Sequence, residues 1–173
     1  RLRGTPVPAS SYFIGKSILV LFSMLIQTIL LMAGGIAFFH LTLPSTTSKW
    51  LLLFALLILG SANSTALGIA FSAVPKSGRG ASAVVSPVVI VMQFFSGVFF
   101  IFTQLPHWMQ QVAALFPLKW LTQGMREVFL PDSFATQEVA KSWETDRVLL
   151  VNFVWLLVGL FLAVRHFKWE TRS

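Results

Sequence analysis

Few residues in this chain of 173 are of types that perform chemistry, and their spacing excludes the usual reactions. Gly15-Lys16-Ser17 matches the end of a nucleotide-binding P-loop. That loop needs a glycine five residues before the Gly-Lys pair, and the position is Ser10. It also needs a preceding strand, so that backbone amides cradle phosphate at a helix start; here a Pro-containing segment leads into a long apolar run. The histidines His40, His107 and His166 lie far apart, and none pairs with a nearby His or Glu in a metalloprotease pattern. Their positions at span ends and at the start of an outer helix fit interfacial placement. There is no cysteine, which excludes thiolate zinc sites, thiol catalysis and a disulfide framework. No nucleophile elbow is present. The sequence therefore assigns no catalytic, metal or cofactor-binding residue, and no cofactor.

The elements that would position any site are apolar. Fifty-five per cent of residues are hydrophobic and 11% charged, whereas soluble domains carry about a quarter charged residues. A net charge of +7 in a soluble protein would suggest nucleic acid. Here the charges fall outside long uncharged stretches, so the lipid bilayer is the expected partner and nucleic acid is not. Four stretches are expected to span it: 18–39, 51–74, 81–102 with Pro87 inside, and 148–164. A helix of about 20 residues crosses a hydrocarbon core of about 30 Å. The predicted fold is an all-α polytopic bundle of four transmembrane helices. A cleaved signal peptide is excluded, because the first run lies deep in the chain and three more follow.

Cations orient the bundle. Segments 1–17, 75–80 and 165–173 hold eight of the 13 Lys and Arg, while 40–50 and 103–147 hold the other five together with five of the six acids. Cytoplasmic loops are enriched in Lys and Arg, so both termini are expected inside a cell membrane. Trp50, Trp143 and Trp169 lie near span ends, where indole rings favour the headgroup layer. The outer loop 103–147 reads as two short proline-bounded helices with apolar faces, one from Pro106 to Pro117 and one from Pro117 to Pro131. They are too short to span and fit a re-entrant pair, with a small folded cap as the alternative. Trp108, Phe116, Lys119, Arg126 and Glu127 are the candidate gate residues, the last three expected at the water boundary. Residues 132–147 read as an ordinary polar loop.

None of the four spans contains Asp, Glu, Lys or Arg, so a proton relay or charged filter is not provided for within them. Their polar residues are neutral. Gln27, Asn63, Gln93 and Asn152 are candidates for a substrate path; the plainer role for each is an interhelical hydrogen bond of roughly 0.6–2 kcal/mol. Gly60, Ser64, Gly68 and Ser72 recur every four residues and are expected to form a close-packing face. Pro6 and Pro8 disfavour helix before them, so 1–17, with Arg1, Arg3 and Lys16, is expected to be a stiff extended lead-in. A basic anchor on anionic lipid is the other reading of that segment.

Three pieces of the sequence resemble the permease subunit of type 2 ABC exporters. RLRGTPVPASSYFIG, residues 1–15, looks like the end of a cytoplasmic coupling loop, with Arg1, Arg3, Pro6 and Pro8 as coupling candidates. LPHWMQQVAALFPLKWLTQGMREVFLPD, residues 105–132, resembles the external re-entrant helices of that family, especially of daunorubicin-resistance-like permeases of actinobacteria. The last span with its basic tail, 165–173, completes the order. The resemblance implies a six-span permease in a homodimeric or heterodimeric pore with two cytoplasmic ABC ATPase subunits, and hence drug export and antibiotic resistance as a role. On this reading the chain lacks the first two spans, and ATP hydrolysis belongs to the partner. A non-transporting membrane scaffold and a membrane-embedded enzyme are the competing classes.

Overall fold

The computed structural model describes residues 9–72 and 78–166. Among these residues the fold is helical throughout, with no strand. Six α-helices follow in order: α1 (Ala9–Phe39), α2 (Thr47–Ser72), α3 (Gly78–Phe95), α4 (His107–Ala114), α5 (Pro117–Phe129) and α6 (Thr145–His166). Short 3₁₀ turns at Phe102–Gln104 and Asp132–Gln137 join the last four. Backbone in an apolar medium must satisfy its own N–H and C=O groups, which is why the uncharged runs close as helix. Ile14–Phe39, Thr47–Phe71 and Thr145–Arg165 are long and apolar enough to cross a membrane, and α3 carries a shorter apolar stretch, Val85–Phe95. The chain is a polytopic helical membrane protein.

Local chemistry sets the helix ends. α1 stops where His40 turns left-handed at φ 53° and the Leu41 amide donates back to Gly35 O at 3.0 Å. Gly35 is required there, because a Cβ would lie 2.9 Å from Leu41 Cδ2. Thr46 caps α2, its Oγ1 accepting from the Lys49 amide at 3.4 Å. Pro117 opens α5 at its first turn, where its missing N–H leaves no bond unmade.

Three expectations are corrected. The lead-in 1–17 is helical from Ala9 onward, because nothing between Ala9 and Lys16 breaks a helix once Pro8 is passed; residues 1–8 lie outside the described residues. The third span does not run to Phe102: α3 ends at Phe95, and Gly97 takes φ +83°, a conformation that turns the chain out of the helix. The segment 132–147 is not an ordinary loop. It begins with a 3₁₀ turn, buries Glu138, and gives its last three residues to α6, which starts at Thr145 rather than Val148.

The core sits where α2, α5 and α6 meet. Leu52, Leu53, Leu56 and Leu57 of α2 pack with Trp120 and Val128 of α5 and Val148 of α6. α1 lies against α2 through Met24, Leu25 and Met32, leaving most of its surface exposed. α3 packs mainly on α4 and α5. The close-packing face predicted on α2 is divided. Gly60 is buried against Leu121 and Met24, but Ser64 is exposed and a Cβ on Gly68 would meet nothing within 4 Å. The close approach to α6 falls two residues from Ser64 and Gly68, on the opposite side of the helix, where Ala66 Cβ would be 3.1 Å from a Cβ on Gly159.

Gly124 fixes how near α5 can come. A Cβ there would lie 2.8 Å from Leu56 Cδ1 and 2.9 Å from Val148 Cγ1, both on fully buried residues. In an exposed helix Gly→Ala stabilises by about 1 kcal/mol, but overpacking a filled site costs about 1–3 kcal/mol. Gly124→Ala is therefore expected to lower the midpoint of thermal unfolding in detergent micelles; an unchanged or higher midpoint would show that α5 is not held at contact distance.

Candidate functional site

The polar side chains of the region between α3 and α6 gather around α5. Its buried residues are Lys119, Trp120, Gln123, Gly124 and Val128, so one side meets the apolar core and the other meets the returning segment 132–144. Two α5 side chains, one turn apart, reach the chain entering α6. Gln123 Nε2 donates to Trp143 O at 2.6 Å, and Glu127 Oε1 accepts from Thr145 Oγ1 at 2.6 Å. Burial raises the Glu127 carboxyl above its ordinary pKa, opposed by the Thr145 hydrogen bond and by the charge of Lys49. Lys49 of α2 closes the far end: its Nζ donates to Leu130 O at 2.9 Å and lies 2.9 Å from Asp132 Oδ1.

The break after α3 is tied to the same helix. Thr122 Oγ1 lies 2.8 Å from Ser96 O, within hydrogen-bond distance of a carbonyl left at the helix end. Arg126 forms a forked pair with Glu138, Nε at 2.7 Å and Nη2 at 3.3 Å. Its other nitrogen, Nη1, would be 3.3 Å from a Cβ on Gly97, so the guanidinium occupies space that only glycine leaves free. The end of α4 is held by two indoles: Trp120 Nε1 donates to Ala114 O at 2.8 Å and Trp155 Nε1 to Leu115 O at 2.7 Å.

Among the gate candidates, Phe116 stacks on Trp155 at 5.9 Å between centroids, and exposed Trp108 meets Phe95 edge-on at 6.5 Å. Arg126 and Glu127 are half-buried. Lys119 is not at a water boundary but 5% exposed, a correction that follows from α5 being covered on both sides. Of the path candidates, Asn63 and Asn152 come together at the α2–α6 seam: Asn63 Nδ2 donates to Asn152 O at 2.9 Å, and Asn152 Nδ2 to Val148 O at 2.8 Å. Both side chains are buried, as an interhelical bond requires, and Asn63 Oδ1 is left without a partner. Gln27 is exposed on α1 and Gln93 half-buried on α3; neither joins the pair. The coupling candidates Arg1, Arg3, Pro6 and Pro8 lie outside the described residues.

Sequence reasoning missed Lys49, Gln123, Glu138, Trp143 and Thr145. The available signal was a glycine in the middle of a short helix, flanked by Gln123 and Arg126, with acids of matching charge in the following loop. The arrangement is a hydrogen-bonded cap packed on α2 and α6. It brings together no metal-ligating cluster among the described residues.

The match to known proteins covers this whole region. A family model described as ABC-2 family transporter protein matches residues 1–164. No curated protein and no solved structure matches the chain.

The Arg126–Glu138 pair gives the cap a measurable dependence. Glu138→Ala leaves a partly buried guanidinium without its carboxylate and should lower unfolding stability by about 1.5–3 kcal/mol. The double variant Arg126→Met with Glu138→Leu should recover most of that loss, since an apolar pair of similar volume replaces a desolvated ion pair at little cost. A double variant no more stable than the single would assign the pair a role beyond charge matching.

Proposed function

The chain belongs to the family of ABC-2 transporter proteins, and from that premise we propose that it exports an amphipathic drug-, lipid- or glycan-like substrate by alternating access. Membership makes it the permease subunit of an ABC transporter, a multi-pass membrane protein that works with an ABC ATPase. The observation that carries the reading is the extent of the match, which runs through every apolar helix and the whole outer cap. The spans support it by what lies between their end turns: neutral polar side chains and no Asp, Glu, Lys or Arg over 18–39, 51–71 and 148–164. Energy then enters from the ATPase rather than from an ion relay within the membrane.

In this reading both termini face the cytoplasm of a cell membrane, and a second permease copy, the same or a related chain, completes the pore. α4 and α5 dip into the outer leaflet and close the exit, with Trp108, Phe116, Lys119, Arg126 and Glu127 in or beside the gate. Gln27, Asn63, Gln93 and Asn152 are offered as path contacts, and Gly60, Ser64, Gly68 and Ser72 as a packing face of α2. The exposed Ser64 and Gly68 of that face suit a neighbouring copy or span better than a contact within this chain. Arg1, Arg3, Pro6 and Pro8 receive the movement of the ATPase, and drug export with antibiotic resistance is one role such a transporter would fill.

The test is reconstitution of the full-length protein with its ATPase in proteoliposomes and a screen for substrate-stimulated hydrolysis. Stimulation with outward movement of the same compound is the expected result; a complex that forms but neither hydrolyses nor moves any compound would favour a scaffold. Orientation is checked separately, since a chain without cysteine takes single labels cleanly. Cysteines at Ser45 and Ser133 should react with an impermeant reagent in intact cells, and one at Ser77 only after permeabilisation. Replacing Pro6 and Pro8 by glycine should lower the number of substrates exported per ATP hydrolysed without preventing insertion; a normal ratio would reduce residues 1–8 to an anchor.

A further inference from the structure

Lys119 is a buried cation without a counterion. Its side chain is 5% exposed, and its ammonium donates to Gln123 Oε1 at 2.5 Å. It lies 3.5 Å from the centroid of the Trp120 ring and 5.3 Å from that of Phe102. The ion pairs among the described residues are Lys49–Asp132, Arg126–Glu138 and Arg147–Glu144, and none includes Lys119. The charged groups that face it are thus already matched: Glu138 and Arg126 with each other, Glu144 and Arg147 with each other. Ring faces and one amide oxygen replace only part of the hydration that an ammonium loses on burial.

The position is one where such a penalty acts on movement. Phe102 belongs to the chain leaving α3, Trp120 and Gln123 to α5, and Gln123 passes the connection to Trp143 ahead of α6. Lys119 therefore stands where the α3 exit closes on the rest of the cap. We infer that Lys119 is the spring of the outer gate: burying its charge opposes closure, so the cap remains able to open and rehydrate the ammonium. This rests on the cap being the gate.

Burial lowers the Lys119 pKa from 10.5 to about 8 in the closed cap, against the raising influence of Glu144 and Glu138. The sign follows from linkage. Between about 8 and 10.5 an opened, hydrated Lys119 binds a proton that the closed form has released, so closure becomes more favourable as pH rises through this window. Below about 8 both forms are protonated and the full penalty on closure remains.

The experiment places spin labels at exposed Thr103, just after Phe102, and exposed Ser133, beyond α5. Their distance distribution is measured between pH 7 and 10 on the full-length protein in lipid nanodiscs without nucleotide. The wild type should show an open, long-distance population whose ratio to the closed one falls at least tenfold between pH 8 and 10, since each pH unit between the two pKa values of about 8 and 10.5 changes that ratio by up to tenfold. Lys119→Met, which keeps the stem and removes the charge, should hold the open population low at every pH; Lys119→Arg should keep it high at every pH. The inference is overturned if the wild-type distribution does not change with pH, a result that needs no variant to fold, or if Lys119→Met opens as readily as the wild type. Because the readout is independent of transport, a spring that behaves as expected in a protein that exports nothing would count against the transport reading alone.

Discussion

The distance at which α5 lies from α2 and α6 is the constraint on which the region between α3 and α6 depends. Gly124 lets Leu56 and Val148 pack where a Cβ would lie only 2.8 and 2.9 Å from them. Only at that distance does Trp120 enter the core and Gln123 reach Trp143 O, while Glu127 meets Thr145. Were α5 displaced outward by a methyl group, these three polar and aromatic contacts would lengthen together. In a membrane, where lipid is as apolar as leucine, such fit matters more than burial as such.

Around that contact the cap resolves a problem of polar groups. The ends of α3, α4 and α5 leave backbone carbonyls without helical partners, and these are met by side chains: Thr122 at Ser96 O, Trp120 at Ala114 O, Trp155 at Leu115 O, and Lys49 at Leu130 O. Helices broken in an apolar surrounding are tolerated when neighbouring side chains take over their freed groups. Between the spans, Asn63 and Asn152 make one such arrangement at the α2–α6 seam. Polar chemistry is thus concentrated where the chain changes direction, and the long helices are left to pack.

How much of this the sequence disclosed depends on the range of the interaction involved. The spans were legible because absence of charge over many residues is a property of each segment alone. α4 and α5 were legible because proline acts on its own turn. The end of α3 was not: Gly97 lies among apolar residues, and hydropathy carries no information about φ. Nor was the polar face of α5, since a helical period assigns only apolar positions to the interior. Lys119 is buried by Phe102, which precedes it by a whole helix, and by the segment that returns after Pro131. The packing face of α2 shows the same limit. A four-residue recurrence of small side chains was visible, but whether α6 meets Gly68 or Ala66 depends on the rotation of the helix, which Asn63 and Asn152 fix from outside that pattern.

The crowding of Gly97 by Arg126 has a consequence for how this protein can change. The two positions are 29 residues apart in the numbering yet share one small volume, so their substitutions are not independent. A side chain at 97 would meet the Phe102 Cβ at 3.1 Å as well as the guanidinium, and φ +83° strains it whatever the space, so loss of Arg126 would not open the position and would strand Glu138 as a buried carboxylate. Change is therefore constrained in two ways: Glu138 can go first or together with Arg126, and Gly97 stays. A fixed glycine beside a pair that can be exchanged only in that order or together behaves as a single inherited unit, and it lies at the point where the chain leaves the third helix.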